Sequence, residues 1–334
     1  MHVRDLGSSG IEASAVGFGA WALGGWMWGG TDGSASIRAI HAAIDHGITL
    51  IDTAPMYGFG VSETIVGKAI HDRRDQVVLA TKCGLVCNTT RGRFKGRTNT
   101  LGPDPNGHIA IFGVLSPDSI REELEASLRR LRTDHIDLYQ THWPDNTTPI
   151  EDTMAALMRF KQEGKIRAIG ASNVTTAEMD RYRAVGPLDA GQERYSMLDR
   201  DIEADQLPYC RENGIAMLAY SPLAQGLLTG KAGPDREFSE WDQRRDDERF
   251  RVENRRRVQN MLDQMRPVAE RHTITMAQLA AAWTLHQPGL THTLCGIRNT
   301  QQARENAAAG EVELTDADLQ TIEATLTGRA EAVV

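Results

Sequence analysis

The chain has few cysteines, no long apolar run and no surplus of positive charge, and each shortage removes a class of protein. Four cysteines in 334 residues (Cys83, Cys87, Cys210 and Cys295) are too few and too scattered to staple a secreted domain. Cys83 and Cys87 stand close together, but no second Cys or His pair follows at zinc-ligand spacing. No structural metal is therefore expected, and the thiols read as reduced core residues. No stretch approaches the roughly 20 apolar residues of a membrane-spanning helix. The polar opening segment, with Arg4 and Asp5, lacks the apolar heart of a signal peptide, so the cytoplasm is the expected location and no membrane partner is expected. With 37 Lys and Arg against 45 Asp and Glu, the net charge is -8, where a nucleic-acid partner would call for a basic face. No G-x-G-x-x-G opens a helical stretch, which counts against an open doubly wound sheet.

What the sequence does contain is a repeated alternation. Residues 3–14 hold two short β-like runs around Gly7-Ser8-Ser9-Gly10, the pattern of a hairpin. Short apolar runs then recur at 15–18, 49–52, 77–81, 136–139, 166–169, 188–190, 216–220 and 291–294. Between them lie amphipathic stretches. Residues 37–46 put Ile37, Ile40 and Ile44 on one face, and the run from Pro117 to Leu131 spaces Ile120, Leu124, Leu128 and Leu131 by three and four. Ser116 reads as the N-cap of that second helix, with proline in its first turn. Strands apolar enough to be buried on both faces imply a parallel sheet, and eight strand–helix units favour closure. The expected fold is an α/β protein, a (β/α)8 TIM barrel forming a single domain over 1–334 behind an N-terminal hairpin. Two long connections, 85–115 after the third strand and 230–254 after the seventh, leave the barrel face where active sites sit and read as lids. Within the second, the charge-dense stretch 242–257 reads as the solvated face of a helix.

Polar residues at the carboxyl ends of these strands carry the chemistry. Asp52 ends the second, Lys82 the third, His142 follows the fourth, and Tyr57 lies five positions beyond Asp52. A barrel gathers such positions around one mouth. A lysine ammonium beside a tyrosine favours the phenolate and so lowers the pKa of the phenol. A carboxylate keeps the lysine charged and aimed. The tyrosine can then protonate a carbonyl oxygen while hydride reaches its carbon, and the histidine can orient the same oxygen. Each residue alone has a structural explanation: a cap, a snorkelling lysine, a half-buried tyrosine, a rim histidine.

The segment Asp52-Thr53-Ala54-Pro55-Met56-Tyr57-Gly58, followed by Ser62-Glu63, resembles the D-T-A-x-x-Y-G…S-E signature of the aldo-keto reductases. Ala80-Thr81-Lys82 resembles the family's lysine strand, and Asp137-Leu138-Tyr139-Gln140-Thr141-His142-Trp143-Pro144 its D-L-Y-x-x-H-x-P block. The likeness runs from Leu6 to about Asn306 in family order. It implies that Tyr57 is the acid, Lys82 its modulator, Asp52 the lysine's partner and His142 the orienting residue. It implies an NADP(H) cofactor donating its pro-R hydride. Ser172, Asn173 and Gln192 would hold the nicotinamide amide and Tyr220 would stack on the ring. Ser221, Pro222 and Leu223 would lie along the pyrophosphate, with Gln225, Gly226 and Lys231 beyond, and Gly19, Ala20 and Trp21 with Asp52 would flank the cofactor. At the adenosine end the sequence departs from the Lys-Ser…Arg pattern of many members, having Gly296-Ile297 and Gln302 there, so that Arg298 is the local guanidinium, with Glu305 and Asn306 following. That G-x-R form resembles a bacterial branch acting on small polyols, keto sugars and xenobiotic carbonyls.

The resemblance also implies a substrate pocket walled by Trp21 and Trp143 beside Tyr57 and His142, extended by Trp26 and neighboured by Trp28. An aromatic wall accepts aldehydes, ketones and the apolar faces of sugars, so a small carbonyl or alcohol is the expected partner. The alternative is a regulatory module, since potassium-channel β subunits share the tetrad and hold NADPH as a sensor. Those carry N-terminal extensions, whereas here the hairpin begins at Met1. A barrel isomerase or hydrolase would need a phosphate site or metal ligands that the sequence does not display. Monomer and homo-oligomer both stay open.

Overall fold

Eight short strands close a parallel barrel in a computed structural model of the chain, which describes residues 1–87, 89–98 and 109–327. They are β1 (Val16–Gly19), β2 (Leu50–Asp52), β3 (Val78–Cys83), β4 (Ile136–Thr141), β5 (Ile166–Ser172), β6 (Ala190–Arg194), β7 (Ala216–Tyr220) and β8 (His292–Gly296). Each pairs with the next in chain order, and β8 returns to β1 with Thr293 opposite Val16 and Gly296 opposite Gly19. Around them run α1 (Gly33–Asp45), α2 (Val61–Ala69), α3 (Pro117–Leu131), α4 (Ile150–Gln162), α5 (Thr176–Arg183), α6 (Gln206–Glu212), α7 (Val252–Arg271), α8 (Met276–Leu285), α9 (Thr300–Ala309) and α10 (Asp316–Thr327). Every residue of β3 and β4 is buried, as strands covered on both faces require.

Two cores result from the alternation along each strand. Outward side chains such as Leu79, Tyr139, Ile169 and Met217 pack against the helices. Inward ones (among them Leu50, Val78, Ala80, Leu138 and Ala168) fill the barrel. Small residues there leave little room, and the remainder is filled from below by Leu6, Ile11 and Ala13 of the hairpin Val3–Asp5/Glu12–Ser14. The hairpin fits because Gly7 has a φ of 60° and no side chain: a Cβ there would lie 2.0 Å from the Asp189 carbonyl oxygen. The barrel is thus sealed at the amino ends of its strands and open at the carboxyl ends.

Several expectations are corrected. The sixth strand is not 188–190 but Ala190–Arg194. Its polar Gln192 and Glu193 hide it from a hydrophobic reading, and Asp189 instead accepts the Ile169 N–H at 2.9 Å beneath the strand. Ser116 holds the N-cap position of α3, but its side chain makes no capping bond. Of the connection 85–115, the described part is a three-stranded sheet of Leu85–Cys87, Ala110–Gly113 and Arg93–Arg97; residues 88 and 99–108 lie outside the described residues. Cys83, Cys210 and Cys295 are buried thiols, whereas Cys87 is half-buried. The stretch 242–257 is not a solvated helix face throughout. Its helix begins only at Val252, Asp242 and Arg255 are 7% exposed, and Arg244 forms a two-pronged pair with Asp242 at 2.6 and 2.9 Å. Among the described residues no helix is long and apolar enough to cross a membrane.

Candidate active site

The carboxyl ends of β1 to β8 surround a cavity of about 1090 Å3. On its floor, Lys82 of β3 donates to the Asp52 carboxylate of β2 at 2.6 Å, to the Thr53 carbonyl at 3.1 Å and to the Tyr57 hydroxyl at 3.3 Å. The ammonium is fully buried, as is tolerable only for a charge with a close partner and satisfied donors. Tyr57 reaches it from a turn fixed by backbone contact. Gly58 has a φ of 64°, and a Cβ there would stand 2.1 Å from the Gly24 carbonyl oxygen, so the first and second loops interlock beneath the phenol. The His142 ring stands edge-on to the Tyr57 ring at 5.7 Å between centroids. The four residues expected to act together are therefore in one place.

The charges differ from expectation in one respect. Lys82 was expected to leave the phenol more acidic than free tyrosine. Burial instead pushes Tyr57 up, Lys82 offsets only part of that rise, and the net direction is upward. Burial works against the Lys82 charge too, but Asp52 and Tyr57 outweigh it and its pKa is raised. Burial, aided by Lys82, holds His142 well below the usual histidine range, so its imidazole is neutral at physiological pH. The resting site holds a neutral phenol, a lysinium paired with Asp52 and a neutral imidazole.

Around this floor the expected cofactor residues gather, with one exception: Ala20 is buried behind the wall, where its carbonyl accepts from Ser62 at 2.8 Å. Gly19, Trp21, Asp52, Ser172, Asn173, Gln192, Tyr220 and Ser221 line one stretch; Pro222, Leu223, Gln225, Gly226, Lys231, Gly296, Arg298, Gln302, Glu305 and Asn306 line the other. The Tyr220 hydroxyl donates to the Asn173 carboxamide oxygen at 2.8 Å, and Asn173 donates to the His142 carbonyl at 2.9 Å, tying the flat Tyr220 ring to the His142 strand end. Gln192 gives its amide to Asp52 at 2.9 Å. Among the described residues, four of the eight non-glycine residues with positive φ (Met27, Asn173, Ser221 and Gln225) line the cavity, and such strained backbone concentrates at working sites. Trp21, Trp26, Trp28 and Trp143 form the outer wall, with Trp21 and Trp28 edge to face at 5.1 Å.

Some residues at the site escape a reading of the sequence. Gln140, buried within the histidine block, donates to Asp52 at 3.3 Å and accepts from Gln192 at 3.3 Å. Arg194, Lys95, Arg97, Arg236 and Arg244 line the cavity, so Arg298 is not its lone guanidinium. Arg298 itself donates to the Trp28 and Gly30 carbonyls at 3.1 and 2.8 Å, pinning the first loop, while the Arg244 guanidinium lies 5.1 Å from the Trp28 ring centroid. Only Arg194, two residues past Gln192 on the same strand face, carried a usable signal. The others depend on where long loops fold back.

Residues 15–327 match the Aldo/keto reductase family. The chain belongs to that family. It is 44% identical to an NADH-specific methylglyoxal reductase of Escherichia coli over 319 residues, 94% of each protein. Among solved structures it superposes on a glycerol dehydrogenase from Gluconobacter oxydans with a TM-score of 0.86 at 37% identity, covering 99% of this chain and 97% of that one. An aldo/keto reductase from Klebsiella pneumoniae, in complex with NADP and acetate, matches with a TM-score of 0.69 at 28% identity, covering 95% and 93%. This aldo/keto reductase is an oxidoreductase, and its family uses nicotinamide cofactors. The cavity fits such a group: Glu305 keeps a buried carboxylate oxygen without a partner, and nothing lies within 4 Å of where a Cβ on Gly296 would stand. Among the described residues, no cluster of three metal-ligating side chains occurs.

Proposed function

We propose that this aldo/keto reductase reduces small aldehydes and ketones, among them keto sugars, cyclitol-like ketones and xenobiotic carbonyls, to alcohols with NADPH. The carrying observation is the Lys82 ammonium lying between Asp52 and Tyr57 on the floor of the cavity. A bound nicotinamide supplies the hydride. Tyr57, protonated at neutral pH, gives its proton to the carbonyl oxygen as negative charge builds there. The phenolate left behind is stabilised by the Lys82 ammonium, whose own charge Asp52 secures. Neutral His142 offers an N–H to the same oxygen and aligns it with the phenol. Ser172, Asn173 and Gln192 would hold the carboxamide, and Tyr220 would give the ring a flat bed.

The preference for NADPH rests on Arg298. Two of its guanidinium donors reach loop carbonyls, and the rest of the fork suits a 2′-phosphate beside Asn299 and Gln302 at the start of α9. The Escherichia coli relative, NADH-specific by name, and the Klebsiella pneumoniae relative, solved with NADP, bracket the question. The small oxygenated compounds in the relatives' names, methylglyoxal and glycerol, agree with an aromatic pocket of this kind. The test is to mix the protein with NADPH and 4-nitrobenzaldehyde and follow the reduced-nicotinamide absorbance. Steady loss is the expected result. Tight NADPH binding without turnover across a panel of aldehydes, keto sugars and inositols would replace the reductase by a sensor.

A further inference from the structure

The chain as a whole is acidic, yet its cavity is not. Seven lysines and arginines line it against two acids, Asp52 and Glu305. Asp52 is matched by Lys82 beneath it, and Glu305 by Lys231 at 3.2 Å. Arg244 is paired with Asp242, and Arg194 lies 3.9 Å from Asp199. Arg236 and Arg298 donate to backbone carbonyls, Arg298 beside α9 where the proposed cofactor's phosphate would lie. Two cations remain. Lys95 and Arg97 have no acidic group within 4.0 Å among the described residues, and they stand on the other side of the cavity, on the strand Arg93–Arg97.

Their placement is built rather than accidental. The strand register breaks between Phe94 and Gly96, a bulge that re-aims the side chain between them. The Lys95 stem crosses Gly113, where a Cβ would lie 2.9 Å from Lys95 Cε, and its ammonium stands 5.7 Å from the centre of the Trp143 ring. Trp143 follows His142, whose ring stands against Tyr57, so the Lys95 ammonium lies along the same wall as the proton donor, with Arg97 two residues further along its strand. The acids in the neighbourhood are engaged elsewhere: Asp145 accepts from Leu115 N–H, Thr147 and Thr148, and Glu178 closes a capping box with Thr175. Burial, and then Arg93, hold the Lys95 pKa below its ordinary value, with Asp145 and Glu178 offsetting only part of that fall.

We infer that Lys95 and Arg97 form a subsite for an anionic group, so that the favoured substrates are carbonyl compounds bearing a carboxylate or phosphate at the end remote from the carbonyl. This rests on the reductase reading above. A guanidinium fork and an ammonium beside an aromatic ring suit either anion, and positive charge exposed at the cavity draws anions in from solution. The test compares kcat/KM for 4-carboxybenzaldehyde with that for its methyl ester, and for glyceraldehyde 3-phosphate with glyceraldehyde. The expected preference for the charged member of a pair is about tenfold, falling as salt is raised. A preference in the first pair alone identifies a carboxylate subsite, and in the second alone a phosphate subsite. The double variant Lys95→Met with Arg97→Gln should bring the ratio close to one, and Lys95→Arg alone should keep it. A ratio that is flat in the wild-type protein, or that the double variant leaves untouched, overturns the subsite. If 4-nitrobenzaldehyde is reduced while that ratio stays flat, the reductase reading stands alone. If no aldehyde is reduced, both fall together.

Discussion

The two ends of the barrel are made from opposite materials. At the amino ends of the strands, Leu6, Ile11 and Ala13 of the hairpin meet Leu50, Val78 and Ala190 in a dry plug. At the carboxyl ends, an ammonium, a carboxylate, a phenol and an imidazole share the floor of a cavity, and four non-glycine residues at its wall hold positive φ. Burying charge and bending backbone both cost stability. The plug contributes it where no chemistry is done. The difference teaches that one ring of strands can separate stability from reactivity by direction alone, and the two ends should therefore fail independently.

The largest effect that would sharpen this contrast is at Tyr57. Replacing it with phenylalanine removes the proposed proton donor and leaves the packing, so kcat should fall by about three orders of magnitude. NADPH affinity and the melting temperature should stay near those of the wild-type protein. Normal aldehyde turnover by Tyr57→Phe would take the proton from that hydroxyl and break the assignment of roles.

The converse change is Leu6→Ala at the sealed end. Leu6 is fully buried, and truncating such a leucine costs about 2–5 kcal/mol in transfer and cavity terms. Denaturant melts should show that loss, while kcat at a temperature where the variant is folded should match the wild type. A variant equally stable, or one whose kcat falls with its stability, would show the ends to be coupled.

How much of either end is legible in the sequence follows the same division. The strands of the plug are short and apolar, and period and composition locate six of them to within two residues, while the fifth runs three residues past its expected end to Ser172. The sixth was misplaced because Gln192 and Glu193, facing a mouth and a turn, replace the apolar signal with a polar one. The tetrad was legible because each member sits at or just beyond a strand end, where the barrel brings distant residues together. The direction of the Tyr57 shift was not, since it depends on how deeply the phenol is buried, and no local pattern records that. Arg244, the Asp242 pair and the pinning role of Arg298 were equally hidden. They depend on the loop after β7 crossing to the loop after β1, where Gln243 N–H meets the Met27 carbonyl at 3.0 Å.

The pH dependence offers a finer test of the open end. In the proposed mechanism reduction needs the protonated phenol, and Tyr57 is raised above its ordinary value of 10, so kcat should hold steady through neutral pH and fall only as pH passes above 10. His142, neutral because burial depresses it, should produce no acid limb near its usual 6.5. Oxidation of an alcohol, which needs the phenolate as base, should instead rise with pH. A reduction profile that falls with a midpoint near 7 would mean that the lysine outweighs burial after all.

The smallest effect expected lies at the rim, where Arg298 has two possible duties. As the partner of a 2′-phosphate, its loss in Arg298→Ala should weaken NADPH by about tenfold while leaving NADH unchanged. As the pin that holds the Trp28 and Gly30 carbonyls, its loss should loosen the first loop and speed the release of both cofactors alike. Dissociation constants and off-rates for the two cofactors separate these duties, because only the first changes their ratio. The geometry supports both, so the ratio should fall and the NADH off-rate should rise by a lesser factor. An unchanged ratio would place the phosphate elsewhere, with Arg236 and Arg244, also at the cavity wall, the next guanidinium groups to vary.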